Sequence, residues 1–183
     1  MKKKTNKKRS ELLELVQTAL FSFVFVFLLT TFIIKPVRVY GSSMYPTLHD
    51  GDTGFSYIIS MTIGGIERFD IVVAKMPDSS EYLVKRVIGL PNEKICYQED
   101  HLYIDDQLIN EDFFDIEYIN DYDKRKLFTS NIGCIVLKED EYFLLGDNRP
   151  YSTDSRYYGT FNKDQIVSKG VFVVWPFDEF GVK

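Results

Sequence analysis

The sequence predicts a mainly β fold: one N-terminal transmembrane helix followed by an extracytoplasmic β-rich domain. Three observations carry this reading. Residues 1–10 hold six basic side chains and no acid. Directly after Glu14 come 20 residues, Leu15 to Ile34, without a charge, a Gly or a Pro. The remainder breaks into short runs rich in Val, Ile, Tyr and Phe, bounded by turn residues. The 183 residues carry a net charge of −5, yet the tail alone is +6 and the rest sums to −11. So acidic a body excludes a general nucleic-acid binder. The 45% apolar and 27% charged fractions belong to a folded domain and not to a disordered chain.

The anchor comes first. Twenty helical residues at 1.5 Å each span about 30 Å, the thickness of a bilayer's hydrocarbon core. Fourteen of the twenty are Leu, Ile, Val or Phe. They favour insertion by on the order of 6 kcal/mol, which outweighs Gln17, Thr18, Ser22, Thr30 and Thr31. A cleavable signal peptide has a shorter apolar run of roughly 7 to 15 residues ending near small side chains, and Thr31 to Val37 contains no Ala-x-Ala-like site. The run is therefore read as an uncleaved, single-pass anchor in the plasma membrane, residues 15–34. The basic tail, residues 1–14, stays in the cytoplasm and residues 35–183 lie outside, because six basic charges outvote Lys35 and Arg38.

Expected strands are Val37 to Tyr40, Thr53 to Ile59, Asp70 to Lys75, Tyr82 to Gly89, Lys94 to Gln98, His101 to Ile104, Gly133 to Val136, Tyr142 to Leu145 and Gly170 to Trp175. Asp50-Gly51-Asp52, Pro91-Asn92-Glu93 and Asp147-Asn148 mark turns. Glu111 to Asn131 is acidic, aromatic and poorly periodic, so it reads as a loop within a variable insert of about residues 105–135. No amphipathic helix is expected after the anchor. Cys96 and Cys134 have no CxxC or Cys/His spacing, and either a single disulfide or two unpaired core thiols fits them. With His49 and His101 as the only histidines, a histidine-built metal site is not expected, and no cofactor is expected.

Three stretches could carry chemistry. Gly41-Ser-Ser-Met-Tyr-Pro-Thr-Leu48 could be only a Ser-rich turn. Tyr82-Leu-Val-Lys-Arg-Val-Ile-Gly-Leu-Pro91 could be a strand with Lys85 and Arg86 on opposite faces. Gly146-Asp-Asn-Arg-Pro-Tyr-Ser-Thr-Asp-Ser-Arg156 could be a polar loop. In this order and spacing, however, the three resemble the bacterial type I signal peptidases, a family with a Ser-Met-x-Pro-Thr-Leu box after its anchor. A Lys-Arg-x-x-Gly-x-Pro box and a Gly-Asp-Asn-Arg-x-x-Ser-x-Asp-Ser-Arg box follow. Arg68 to Lys75 and Val171 to Phe177 resemble two further strands of that family.

The resemblance implies a signal-peptidase-like β-domain with a Ser/Lys dyad, Ser43 as nucleophile and Lys85 as general base. The chemistry agrees: a serine hydroxyl needs an adjacent base, and a lysine serves once burial lowers its pKa from about 10.4. Lysine at this position matches the prokaryotic type; the endoplasmic-reticulum type has His there. By the same resemblance Ser152 hydrogen-bonds the lysine, Asp154 and Arg156 fix the last loop with Arg86 joining them, and Met44 packs beside the amine. Some members carry a serine where this chain has Gly41. The Ser43 N–H is then the main oxyanion donor, helped by the Gly41 backbone, by Ser42 or by water.

The function implied is a membrane-anchored serine endopeptidase that cleaves N-terminal signal peptides from exported preproteins. Its partners are those preproteins and the lipid bilayer, with no nucleic acid and no metal, and the oligomeric state is left open. Substrate is expected to lie extended against Val39, Tyr40, Asp70, Ile71, Val72 and Val84 by β-augmentation. Phe55, Tyr57, Ile58, Ile59, Met61 and Ile63 are candidates to dip into the lipid surface. Two rival readings are a self-cleaving Ser/Lys regulator and an inactive anchored β-domain that binds export partners.

Overall fold

The structure, a computed structural model, describes residues 2–58, 64–77, 79–114, 116–122 and 126–183. Helix α1 runs from Lys2 to Phe32. Its Glu11–Phe32 portion has a mean hydropathy of 2.2 and is long and apolar enough to cross a membrane. Side chains such as Leu15, Phe21 and Phe23 are exposed along it. A soluble core helix would bury them against the domain; left exposed along a helix of this length, they fit a membrane anchor.

The helix stops two residues short of the expected Ile34. Strand β1, Ile34–Arg38, begins there and pairs antiparallel with β2, Thr53–Tyr57. Pro36 explains the early stop, because the residue before a proline is pushed out of the helical region. A proline is tolerated in β1 because this strand is a sheet edge. Val39 and Tyr40, expected inside the strand, lie past its end.

The larger sheet continues through β3 (Ile71–Lys75), β4 (Tyr82–Gly89), β9 (Glu141–Leu145), β10 (Phe161–Asn162) and β11 (Ile166–Trp175). Its order is β1-β2-β11-β3-β4-β9-β10, with β12 (Gly181–Val182) also on β11. A second sheet orders β7 (Gln107–Ile109), β6 (His101–Ile104), β5 (Lys94–Gln98) and β8 (Ile132–Val136). Cys96 and Cys134 form a disulfide that ties β5 to β8.

Alternation along the strands distributes side chains among three cores. In β9, Tyr142 and Leu144 join Val72, Ala74, Val87 and Phe161, whereas Phe143 and Leu145 face Ile88, Ile95, Tyr97 and Leu102 of the intersheet core. A strand buried on both faces reads as the continuous apolar run seen there. The third core gathers Val39, Met44, Leu48, Ile71, Val171 and Val173.

The expected loop between Glu111 and Asn131 holds a short helix, α2 (Ile116–Asp121). Another, α3 (Ser155–Tyr158), is capped by the Asp154 side chain, which accepts from the Arg156 N–H. Both are too short for helical periodicity to register in the sequence. Of the residues expected to meet lipid, Phe55 is exposed on β2, and Ile59, Met61 and Ile63 lie outside the described residues.

Candidate active site

Ser43 sits in the turn between β1 and β2. The Gly41 N–H donates to Asp50 Oδ1 at 2.8 Å and the Leu48 N–H to the Met44 carbonyl at 3.0 Å. Gly41 takes φ +80°, where glycine is strongly favoured. Met44 and Leu48, 1% and 0% exposed, fix the turn by burying their side chains in the third core. Lys85 lies in β4 opposite Val72 and is 2% exposed. Its Nζ donates to Ser43 Oγ at 2.6 Å and to the Val84 carbonyl at 3.0 Å.

Burial lowers the Lys85 pKa from 10.5 to about 8; the Asp154 and Asp147 carboxylates oppose the shift and Arg156 adds to it. Near neutral pH a fraction of the amines is therefore unprotonated, with a serine hydroxyl in reach. Such a pair is capable of nucleophilic chemistry without histidine.

The loop from Gly146 to Arg156 braces both residues. Arg86 grips Asp147 with two bonds, Nε to Oδ1 at 2.8 Å and Nη2 to Oδ2 at 2.6 Å, and also donates to the Phe69 carbonyl. Arg156 holds Asp154 in the same bidentate way, at 2.8 Å on both oxygens, and reaches the Arg149 carbonyl. Asp154 Oδ2 accepts the Gly146 N–H. A Cβ at Gly146 would stand 2.2 Å from Ser152 Oγ and 2.3 Å from the Ser43 carbonyl oxygen, so only glycine lets the loop come this close.

Two expectations fail here. The Ser152 hydroxyl is buried but has no hydrogen-bond partner among the described residues; the Lys85 amine is drawn to Ser43 and to the Val84 carbonyl. The Gly41 N–H, a candidate second oxyanion donor, is occupied by Asp50. That leaves the Ser43 N–H, from which no described residue accepts a hydrogen bond, and the exposed Ser42.

The family model for signal peptidase, peptidase S26, matches residues 12–175. The chain belongs to the signal peptidase family. It is 37% identical over 180 residues to signal peptidase IB of Staphylococcus aureus, with 94% of each chain covered. To signal peptidase I P of Bacillus subtilis subsp. natto it is 34% identical over 176 residues, covering 96% of this chain and 95% of that one. The crystal structure of a signal peptidase I from Enterococcus faecalis V583 matches with a TM-score of 0.53 and 32% identity, covering 57% of this chain and 95% of that chain. This protein is accordingly a serine peptidase of the signal peptidase I type.

An open groove of about 660 Å³ is lined by Val73 and by neighbours in sequence of the Ser43 turn (Pro36, Val37, Tyr40) and of Lys85 (Tyr82, Val84), among others. Of the six residues expected to meet substrate, only Tyr40 and Val84 line it. Val39 and Ile71 are buried in the third core and Val72 in its neighbour, while Asp70 pairs with Lys169. Strand β3 cannot accept another strand because β4 and β11 already occupy both of its edges. Beside the groove, the ladders left open among the described residues are the outer edge of β1 and residues 82–85 of β4, since pairing of β4 with β9 begins at Arg86.

Sequence reasoning missed Glu111, Tyr97 and Tyr118. Arg149, 1% exposed, donates to Tyr97 Oη at 2.9 Å, to Thr129 Oγ1 at 3.0 Å and to the Gly146 carbonyl at 3.1 Å, and it pairs with Glu111. Phe113 stacks under the Arg86 guanidinium at 4.1 Å. Arg149 stood within a stretch already singled out; Glu111 and Tyr118 had no signal beyond an acidic, aromatic composition.

Proposed function

We propose that this signal peptidase cleaves N-terminal signal peptides from exported preproteins with Ser43 as nucleophile and Lys85 as general base, on the outer face of the membrane. The observation that carries the assignment of roles is the 2.6 Å contact between Nζ of the buried Lys85 and Oγ of the partly exposed Ser43. With the amine neutral, the Ser43 hydroxyl donates its proton to Nζ as Oγ attacks the scissile carbonyl. The resulting oxyanion is met by the Ser43 N–H. The protonated amine then gives its proton to the leaving amine, releasing the mature chain. Water, deprotonated by the same lysine, hydrolyses the acyl-serine.

The substrate enters as an extended strand between β1 and residues 82–85, pairing its backbone with both open edges. Upstream residues then run along β1 from Ser43 toward Ile34 and the end of α1. That direction leads the apolar part of a signal peptide to the bilayer, which supports the reading. An outward-facing domain is also supported by the Cys96–Cys134 disulfide, since disulfides persist in oxidising compartments, and by the basic tail. Asp154, Arg156 and Arg86 hold the loop, and Met44 walls the site.

Cleavage of a purified preprotein tests the roles. Ser43→Ala abolishes it and Ser42→Ala leaves most of it. Comparable loss at Ser42 would mean that the nucleophile is wrongly assigned or that Ser42 serves the oxyanion.

A further inference from the structure

Asn148 makes two hydrogen bonds to the turn that carries Ser43. Its backbone N–H donates to the Ser43 carbonyl at 3.0 Å, and its side-chain Nδ2 donates to the Ser42 carbonyl at 2.9 Å. Successive peptide planes on either side of Ser43 are thereby held by one residue. The peptide joining Ser42 to Ser43 is planar and trans, so its C=O and N–H point in opposite directions. Gripping the Ser42 carbonyl therefore aims the Ser43 N–H away from the loop, and that N–H has no acceptor among the described residues.

The side chain of Asn148 is itself oriented. Tyr118 in α2 donates its hydroxyl to Asn148 Oδ1 at 2.7 Å. A carbonyl can only accept, so the amide must turn Nδ2 to Ser42, and the Tyr118 hydroxyl fills the opposite side. The Tyr118 ring is held in turn by edge-on packing against Tyr45 and Phe128, with centroids 5.0 and 5.9 Å apart. Tyr118 belongs to the acidic, aromatic segment to which the sequence assigned no role.

We propose that Asn148 and Tyr118 are positioning residues that set the oxyanion donor: Tyr118 orients the Asn148 amide, and the amide fixes the direction of the Ser43 N–H. The inference rests on Ser43 being the nucleophile. Neither side chain need touch the substrate. Both act through the angle at which one backbone N–H meets the developing charge, a term that counts in the transition state and little in the bound substrate.

The test uses the full chain in detergent micelles. Tyr118→Phe keeps the ring and loses the neutral hydrogen bond to Asn148, so kcat falls about fivefold, with KM and Tm close to wild type. Asn148→Ala lowers kcat by on the order of 100-fold, the scale of one lost oxyanion donor. Tyr118→Phe added to Asn148→Ala costs nothing more, because the tyrosine acts only through the amide. A substrate-derived peptide aldehyde, whose adduct with Ser43 places an oxygen at the oxyanion position, loses affinity in parallel with kcat. The matching peptide alcohol, which forms no adduct, binds both variants as it binds wild type. Wild-type kcat in both single variants, additive losses in the double variant, or equal losses for aldehyde and alcohol would overturn the inference. Ser43→Ala run alongside separates the two failures. If it is inactive, only the positioning role falls; if it still cuts, the nucleophile assignment falls with it.

Discussion

Replacing Lys85 by Met removes a charge that the fold hosts poorly while keeping a side chain of similar length. The folded pKa of about 8 lies below the ordinary 10.5 because of burial. At roughly 1.4 kcal/mol per unit, that gap corresponds to about 3 kcal/mol. Below pH 8 both folded and unfolded chains carry the proton, so the folded state bears the whole penalty. Between 8 and 10.5 the folded amine is neutral while the unfolded one still binds a proton, and stability rises with pH. Above 10.5 the penalty is gone. Methionine never incurs it but forfeits the bonds to Ser43 Oγ and the Val84 carbonyl, at about 1 kcal/mol each. Lys85→Met should therefore be more stable than wild type by about 1 kcal/mol at pH 7 and less stable by about 2 kcal/mol above pH 10.5, crossing between.

Urea unfolding of both full chains in micelles, followed by circular dichroism from pH 6.5 to 11, measures this difference. In the same range wild-type kcat/KM should rise with pH through about 8. Lys85→Met should be inactive, as should Lys85→Arg, whose guanidinium stays protonated. A methionine variant that is clearly less stable at pH 7, with a difference flat across the range, would make Lys85 a structural cation. Cleavage by Lys85→Arg would place the base elsewhere.

Substrates with Ala at the first and third positions before the cut should be processed, and Phe or Leu at the first should lower kcat/KM by at least about tenfold through overpacking. Equal rates for Ala and Phe there would contradict the proposed cleavage of signal peptides. Protease added outside intact cells or spheroplasts should cut beyond Pro36 and spare the basic tail; a protected β-domain would reverse the orientation.

Much of the fold was legible because local periodicity and turn residues mark it directly. The strands Tyr82–Gly89, Lys94–Gln98 and His101–Ile104 have the bounds that alternation and the turn at Pro91-Asn92 suggest. Elements escaped where tertiary context decides. β11 begins four residues before Gly170, whose φ of +69° accompanies a bulge between Lys169 and Val171, and a glycine there reads as a strand boundary. β10 has two residues and pairs only with β9, too short for any pattern. The disulfide depends on β5 and β8 being neighbours, a contact between residues 38 apart in sequence. In the site, the Ser43–Lys85 contact and the Arg156–Asp154 pair join residues of the three singled-out stretches, whereas Ser152 and Gly41, in the same stretches, do not make the contacts expected of them. Partners outside those stretches, such as Asp50 for Gly41 or Tyr118 for Asn148, were not legible, since no sequence pattern encodes a single hydrogen bond between residues 9 or 30 positions apart.

The two arginine–carboxylate pairs also bear on the proposed base, Lys85. Buried ion pairs add little net stability, because desolvating two charges costs nearly as much as their attraction returns. Their place here has another consequence. Asp147 and Asp154 both raise the Lys85 pKa, and two bare carboxylates beside a lysine would hold it protonated at neutral pH. Each is instead bound on both oxygens by a guanidinium, Arg86 on Asp147 and Arg156 on Asp154. With each negative charge balanced at hydrogen-bond distance, desolvation is left as the dominant influence on the amine and the pKa falls. The carboxylates remain free to organise the loop: Asp154 accepts the Gly146 N–H, and Asp147 accepts the Thr47 hydroxyl from the Ser43 turn. The pairs thus allow acidic, loop-ordering groups to sit near an amine whose proposed role as base requires it to lose its proton.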